Sequence, residues 1–203
     1  MLSADDPLPI RPDRVLIAGV SGSGKTTLAR RIGEAWGLRH VEIDALFHGP
    51  NWTPRPEFLD EVRAFAAEER WVTEWQYTSK GTNGILPPRA QLAVWLDYPY
   101  RVVRARLLRR TLGRGILRSE LWNGNREPGP WNMLNRDPEK NILAWQTKTL
   151  RLWAERLPLL QEQFPHLTIV RMRHPRETEG WLRAQAEAFG ASTAPPKRRS
   201  RER

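Results

Sequence analysis

Residues 19–27 read GVSGSGKTT and satisfy the pattern G-x-x-x-x-G-K-[S/T] at Gly19, Gly24, Lys25 and Thr26. Each residue type has a task if the ligand is a polyphosphate. Glycines let the backbone bend around the anion and turn successive N–H groups inward. Lys25 would bridge β- and γ-phosphate oxygens, and the Thr26 hydroxyl would ligate Mg²⁺. Ser21, Gly22, Ser23 and Thr27 complete the loop that would wrap the phosphates. An apolar run, Arg14 to Ala18, precedes the loop and an amphipathic segment follows it, so a strand–loop–helix unit is expected. The helix would begin at Lys25 and set its positive dipole end against the β-phosphate. The chemistry expected is the binding of a nucleoside triphosphate together with Mg²⁺.

Further groups could act on such a ligand. Asp44 is expected at the end of a second strand, His40 to Ile43, where ligands bind in parallel sheets. It could orient an acceptor hydroxyl as a base or hold a magnesium water; capping the next turn is the structural alternative. Glu74 ends a third strand from Trp71 and could share that role, or form a surface ion pair. Asp97 also ends a strand, but Pro99 two residues later makes it a turn or cap residue. Arg106, Arg109 and Arg110 share a helix face by i, i+3, i+4 spacing, and Arg114, Arg118 and Arg126 follow. Guanidinium groups would neutralise charge as a phosphoryl group moves; Arg106 and Arg110 are the pair assigned here. Trp52, Trp122 and Trp131 fall in expected loops, with packing favoured over base stacking. Asn123 and Asn125 could bond a phosphate or simply make turns. His40, His48, His166 and His174 share no zinc-ligand spacing.

The elements that must position these groups alternate. Helices are expected from Lys25 to Gly37, from Pro56, from Pro99 to about Leu112, from Glu139 to about Arg156, and from Pro175 to about Phe189. Strands are expected at Gln91 to Leu96 and Leu167 to Met172 besides those already placed. Alternation of this kind means right-handed crossovers and a parallel sheet covered on both faces. Residues 13–190 would form one α/β domain, with a lid-like insertion at about 111–137. Residues 1–12 and the basic stretch 191–203 read as disordered tails. Of the net charge of +10, Pro195 to Arg203 carries +4 and Arg101 to Arg126 carries +7, so the basicity is local. A local arginine cluster suits a polyanion such as triphosphate better than a nucleic-acid face. The chain has no cysteine, which excludes disulfides, thiolate metal sites and a cysteine nucleophile. No leader or membrane span is visible, and a soluble cytoplasmic protein is the simplest expectation.

No N-K-x-D guanine-reading motif is present, which argues against a GTPase, and the strand ending at Asp97 does not continue as in a motor ATPase. The segments VLIAGVSGSGKTTLARRIG, IDALFHGPNWTPRPEF, RWVTEWQY, VWLDYPYRVVRARLLRR and SELWNGNRE together resemble one family. This is the adenylate-kinase-related P-loop proteins often labelled DNA topology modulation (FlaR-like) proteins, within the nucleoside and nucleotide kinase superfamily. The resemblance implies a P-loop NTPase fold with a five-stranded parallel sheet in the order 2-3-1-4-5, ATP as donor and a mobile lid. It implies an ATP- and Mg²⁺-dependent kinase whose acceptor is a nucleoside or nucleotide. Where relatives often read Asp-Gly-Asn-Tyr after the third strand, this chain has Glu74-Trp75-Gln76-Tyr77. The Gly-Phe-Pro-Arg and Thr-Gly-Asp segments of adenylate kinases are absent, which argues against AMP as acceptor. The alternative is a nucleotide-dependent regulatory protein or ATPase, associated with nucleic acid through the basic tail, that transfers phosphate to no small molecule.

Overall fold

The computed structural model describes residues 1–117, 122–125 and 141–190. Five parallel strands form one sheet: β1 (Arg14–Gly19), β2 (Arg39–Val41), β3 (Trp71–Glu74), β4 (Leu92–Leu96) and β5 (Thr168–Met172). Their spatial order is β2-β3-β1-β4-β5, as expected from the sequence. β1 lies at the centre, its Val15 opposite Val72 on β3 and Leu92 on β4. Strands buried on both faces need apolar residues at every position, and RVLIAG and LAVWL supply them.

Among the described residues seven α-helices accompany the sheet: α1 (Lys25–Trp36), α2 (Ile43–Phe47), α3 (Phe58–Ala66), α4 (Tyr100–Leu117), α5 (Ile142–Lys148), α6 (Leu152–Gln163) and α7 (Pro175–Ala188). Alternate strand residues feed two cores. Leu16, Ala18, Trp71 and Trp95 pack with Phe58, Val62 and Phe65 of α3 and Trp153 and Leu157 of α6. Val15, Ile17, Val72 and Val94 pack with Leu28, Ile32 and Trp36 of α1 and Trp181 of α7. Edge-to-face contact between Trp36 and Trp181, at 5.8 Å, joins α1 to α7.

Four expectations are corrected. β2 stops at Val41, and Asp44 lies in the first turn of α2 rather than at a strand end. The cause is Glu74, whose Oε2 accepts the Ile43 N–H at 3.2 Å and so satisfies a donor at the start of a helix. The single helix expected from Glu139 divides into α5 and α6. The hydroxyls of Thr147 and Thr149 donate to Leu143 O at 3.0 Å and Trp145 O at 2.8 Å, a back-bonding that disturbs helices. α4 runs five residues beyond the expected end at Leu112. The first residues are not a free tail. Leu2 bridges Val170 on β5, with Leu2 N donating to Ile169 O at 2.7 Å and Arg171 N donating to Leu2 O at 2.9 Å. Leu2, Ala4 and Leu8 pack against the second core, which supplies the apolar contact that holds them. The expected lid falls mostly outside the described residues, as do Trp131, Arg118, Arg126, the side chain of Arg114 and the stretch 191–203.

Candidate active site

The loop between β1 and α1 opens onto a cleft of about 1820 Å³ that collects the phosphate-loop residues and part of the other candidates; Glu74 is not among its lining residues. Gly19, Ser21, Gly22, Ser23, Gly24, Lys25, Thr26 and Thr27 all line it, as do Asp44, Arg106 and Arg110. Two glycines are demanded by geometry. A Cβ on Gly22 would meet Val103 O of α4 at 2.5 Å, so the loop can lie against that helix only without a side chain. Gly24 has φ 100° and stands at the N-terminus of α1, a left-handed conformation costly for other residues. Ser23 is buried and its Oγ has no partner among the described residues. An orphaned hydroxyl inside a loop of inward backbone donors is what an anion would satisfy.

Lys25 donates to Val20 O at 3.3 Å. Burial pushes its pKa down to about 8; the charges of Asp44 and Glu74 act in the opposite direction, and Arg110 adds to the depression. Glu74 is buried at 1% exposure. Burial raises its pKa, but hydrogen bonds from His40 and Thr26 outweigh that, and the carboxyl sits below its ordinary value. His40 Nε2 lies 3.3 Å from Glu74 Oε1. Glu74 is therefore neither a surface ion pair nor a free base. It ties together Thr26, His40 and the start of α2.

Asp44 is held by the linker that follows β3. The Tyr77 hydroxyl donates to Asp44 Oδ1 at 2.7 Å and Gln76 Nε2 donates to the same oxygen at 3.3 Å. Asp44 Oδ2 accepts no side-chain hydrogen bond among the described residues, which leaves one oxygen to receive a proton or a metal-bound water. Tyr77 spends its only proton on Asp44, so His48 Nε2, 3.1 Å away, is the donor to the phenol oxygen. Burial and the Asp44 charge raise the Tyr77 pKa, which keeps the phenol a donor. Tyr77 holds this place with φ 56°, a strained backbone for an aromatic residue. Neither Tyr77 nor His48 was singled out from the sequence. Only the quoted run EWQY hinted at the first, and the left-handed turn that aims it has no local signature.

Mg²⁺ fits these residues in one way. A Thr26 hydroxyl that donates to Glu74 keeps its oxygen lone pairs free for a cation. No group of three or more His, Cys, Asp or Glu that could hold a metal occurs among the described residues. The ion would then rest on Thr26, phosphate oxygens and water, with Asp44 reaching a water, a sparse protein contribution typical of Mg²⁺.

Arg106 donates to Ser23 O at 3.3 Å and its guanidinium stands 5.5 Å from the centre of the Tyr98 ring. Arg109 shares the helix but does not line the cleft. Arg104, one turn earlier, reaches Leu143 O at 2.7 Å, and Gln146 Nε2 donates to Ser21 O at 2.6 Å, so α5 is fastened to the loop. Asp97 pairs with Arg171 of β5 at 2.5 Å, an ion pair where the sequence suggests a turn or cap.

The segment 122–125 is strapped onto residues 42–52. Trp122 Nε1 donates to Glu42 Oε2 at 2.6 Å, Asn123 Nδ2 to His48 O at 2.5 Å, and Asn125 Nδ2 to Gly49 O at 2.8 Å. Trp52 N, with φ 60° at that residue, donates back to Asn125 Oδ1 at 3.0 Å. Both asparagines thus serve backbone groups and not a phosphate. Trp52 and Trp122 flank His48, their ring centres 5.1 Å and 6.4 Å away, and both also line the cleft.

No family model matches the chain. It is 31% identical over 109 residues to a cytidylate kinase of Pyrococcus furiosus, covering 47% of this chain and 56% of that one. It is 32% identical over 79 residues to mouse adenylate kinase 9, covering 39% of this chain and 4% of that one. The chain spans about half the length of the cytidylate kinases it matches and a small fraction of adenylate kinase 9. Among solved structures it resembles an Acinetobacter baumannii shikimate kinase with TM-score 0.49 and 16% identity, covering 88% of this chain and 93% of that one. A Sinorhizobium meliloti gluconokinase gives TM-score 0.47 and 21% identity over 88% and 96%. The sheet order and the phosphate loop give this chain the P-loop NTPase fold, and its sequence is similar to those of cytidylate kinases and an adenylate kinase.

Proposed function

We propose that the protein is an ATP- and Mg²⁺-dependent phosphotransferase acting on a small acceptor, with a nucleoside or nucleotide the favoured class. One observation carries this: a glycine loop with an orphaned buried hydroxyl shares a single cleft with Lys25, with Asp44 carrying a free carboxylate oxygen, and with Arg106 and Arg110. A carboxylate oriented by a strained tyrosine beside the phosphate loop suits proton transfer from an acceptor. Loop N–H groups and Lys25 would hold the β- and γ-phosphates. Mg²⁺ supplies charge neutralisation when bound at Thr26. Asp44 would take the proton from the acceptor hydroxyl, with Tyr77 and Gln76 fixing its orientation. Glu74 would position Thr26 and the start of α2 and so act through them. Arg106 and Arg110 would meet the charge on the moving phosphoryl group. Within the superfamily we place the chain nearest the DNA topology modulation branch, on the segments IDALFHGPNWTPRPEF and SELWNGNRE.

Incubation with ATP and Mg²⁺ across nucleosides, nucleotides and small hydroxy compounds, with products identified by mass, tests this. One acceptor should gain a phosphate. Lys25→Ala should lose nucleotide binding, and Asp44→Asn should bind ATP normally while losing about 10²-fold or more in turnover. ATP binding with no acceptor phosphorylated would instead favour a nucleotide-dependent regulator.

A further inference from the structure

The cleft has a cationic end that phosphate binding at the loop leaves unused. One wall is the linker after β3, residues 75–80; the other is the α5–α6 pair. Trp145, Lys148, Thr149, Leu152, Trp153 and Arg156 all line the cleft. Their spacing of three and four residues carries one face across the break between the two helices. The walls touch twice: Trp75 and Trp153 lie 5.2 Å apart, and Arg156 Nη1 donates to Thr78 Oγ1 at 2.5 Å. The end adjoins Asp44, because Tyr77 and Gln76 of the same linker hold that carboxylate.

Lys80, Lys148 and Arg156 contribute three positive charges here. None pairs with a carboxylate among the described residues, and neither this linker nor these two helix faces brings an acid to the cleft; the acids that line it are Glu42, Asp44 of α2 and Glu179 of α7. Some arginines find carboxylates, as Arg31 does with Glu179, Arg55 with Glu61 and Arg171 with Asp97, while others, Arg104 and Arg106 among them, bond neutral acceptors as Arg156 does. Arg156 is half-buried, and a neutral hydroxyl is its hydrogen-bond acceptor, which leaves most of its five N–H donors unspent. A fork of donors anchored by a hydroxyl, in a cleft that two exposed lysines also line, suits a planar or tetrahedral oxyanion.

We propose that Arg156, assisted by Lys80 and Lys148, forms an anion subsite that holds a carboxylate or phosphate of the acceptor while its reacting hydroxyl meets Asp44. The word acceptor rests on the phosphotransfer reading; the anion subsite itself is open to separate test. Neutral alcohols and free nucleosides would then be poor substrates, and an acceptor would carry its negative group remote from the hydroxyl that is phosphorylated.

The test uses the full chain saturated with Mg²⁺ and a non-hydrolysable ATP analogue, so that the phosphate loop is filled. Inorganic phosphate and, separately, acetate are titrated in by calorimetry. The wild type should bind at least one of them; phosphate alone assigns a phosphorylated acceptor, and acetate a carboxylate. Arg156→Ala should weaken that binding about tenfold, the loss of one charge-assisted pair, while changing analogue affinity less than about twofold. Arg156→Lys keeps the charge without the fork and should fall between, which separates recognition from misfolding. Lys80→Ala and Lys148→Ala should each cost a smaller factor. Absence of binding by both anions in the loaded wild type overturns the subsite, as does an Arg156→Ala protein that binds like wild type. If the analogue itself fails to bind, the phosphotransfer reading falls on its own, and the anion titrations of wild type and Arg156→Ala still decide the subsite.

Discussion

At the scale of single residues, the site sets one proton on an edge. Lys25 has a pKa near 8 because burial outweighs two neighbouring carboxylates. Triphosphate oxygens would favour the charged ammonium and raise that pKa in the complex. The sign follows: above about pH 8 the free protein has lost protons that the complex regains, so ATP binding should take up a fraction of a proton and weaken as pH rises. Calorimetry at pH 8.5 in two buffers of different ionisation enthalpy measures this directly; equal heats in both would refute it. The residues of the phosphate loop were legible in the sequence because their task is local. Gly24 must turn left-handed, and Lys25 and Thr26 follow it by fixed offsets. Tyr77 and Arg156 were not legible. Each acts on a residue far along the chain, Asp44 at a separation of 33 and Thr78 at 78, and no window of sequence contains both partners.

Elements repeat the same division. β1, β4 and α7 could be read because period and punctuation agree: apolar runs for buried strands, and Pro175 at the first turn of the last helix. The β2–α2 junction could not, since a distant carboxylate, Glu74, starts the helix. The sequence reading therefore put Asp44 on the wrong element. The strap at 122–125 is likewise a tertiary fact, since WNGN reads as an ordinary turn until Glu42, His48 and Gly49 are brought beneath it. It keeps Trp52 in a left-handed conformation next to the cleft. Trp122→Phe would preserve the ring over His48 and delete only the bond to Glu42, at a cost of about 1–2 kcal/mol. Amides across 42–52 should then exchange faster with deuterium, while those of α1 and β4 stay as protected as in wild type. Unchanged exchange at 42–52 would mean that the strap does not hold the loop.

For the molecule as a whole, the sheet determines where chemistry can occur and where trouble can start. Loop, Asp44 and Glu74 gather at the C-terminal ends of β1, β2 and β3, the edge at which parallel sheets present their ligands. Sideways, β5 is an outer strand, and the first residues cover part of it through Leu2. An uncovered strand edge invites pairing with another chain. Deleting residues 1–6 should therefore leave the fold intact yet promote concentration-dependent self-association, visible by light scattering. A truncated protein as monodisperse as the full chain would show that Leu2 protects nothing. The aromatic walls of the cleft have a last, practical consequence. Of ten tryptophans in the chain, Trp52, Trp75, Trp122, Trp145 and Trp153 border the cleft. Trp36, Trp71 and Trp181 are sealed in the cores and give a steady background. Indole emission follows local polarity, so the unlabelled protein carries its own optical gauge of what occupies the cleft.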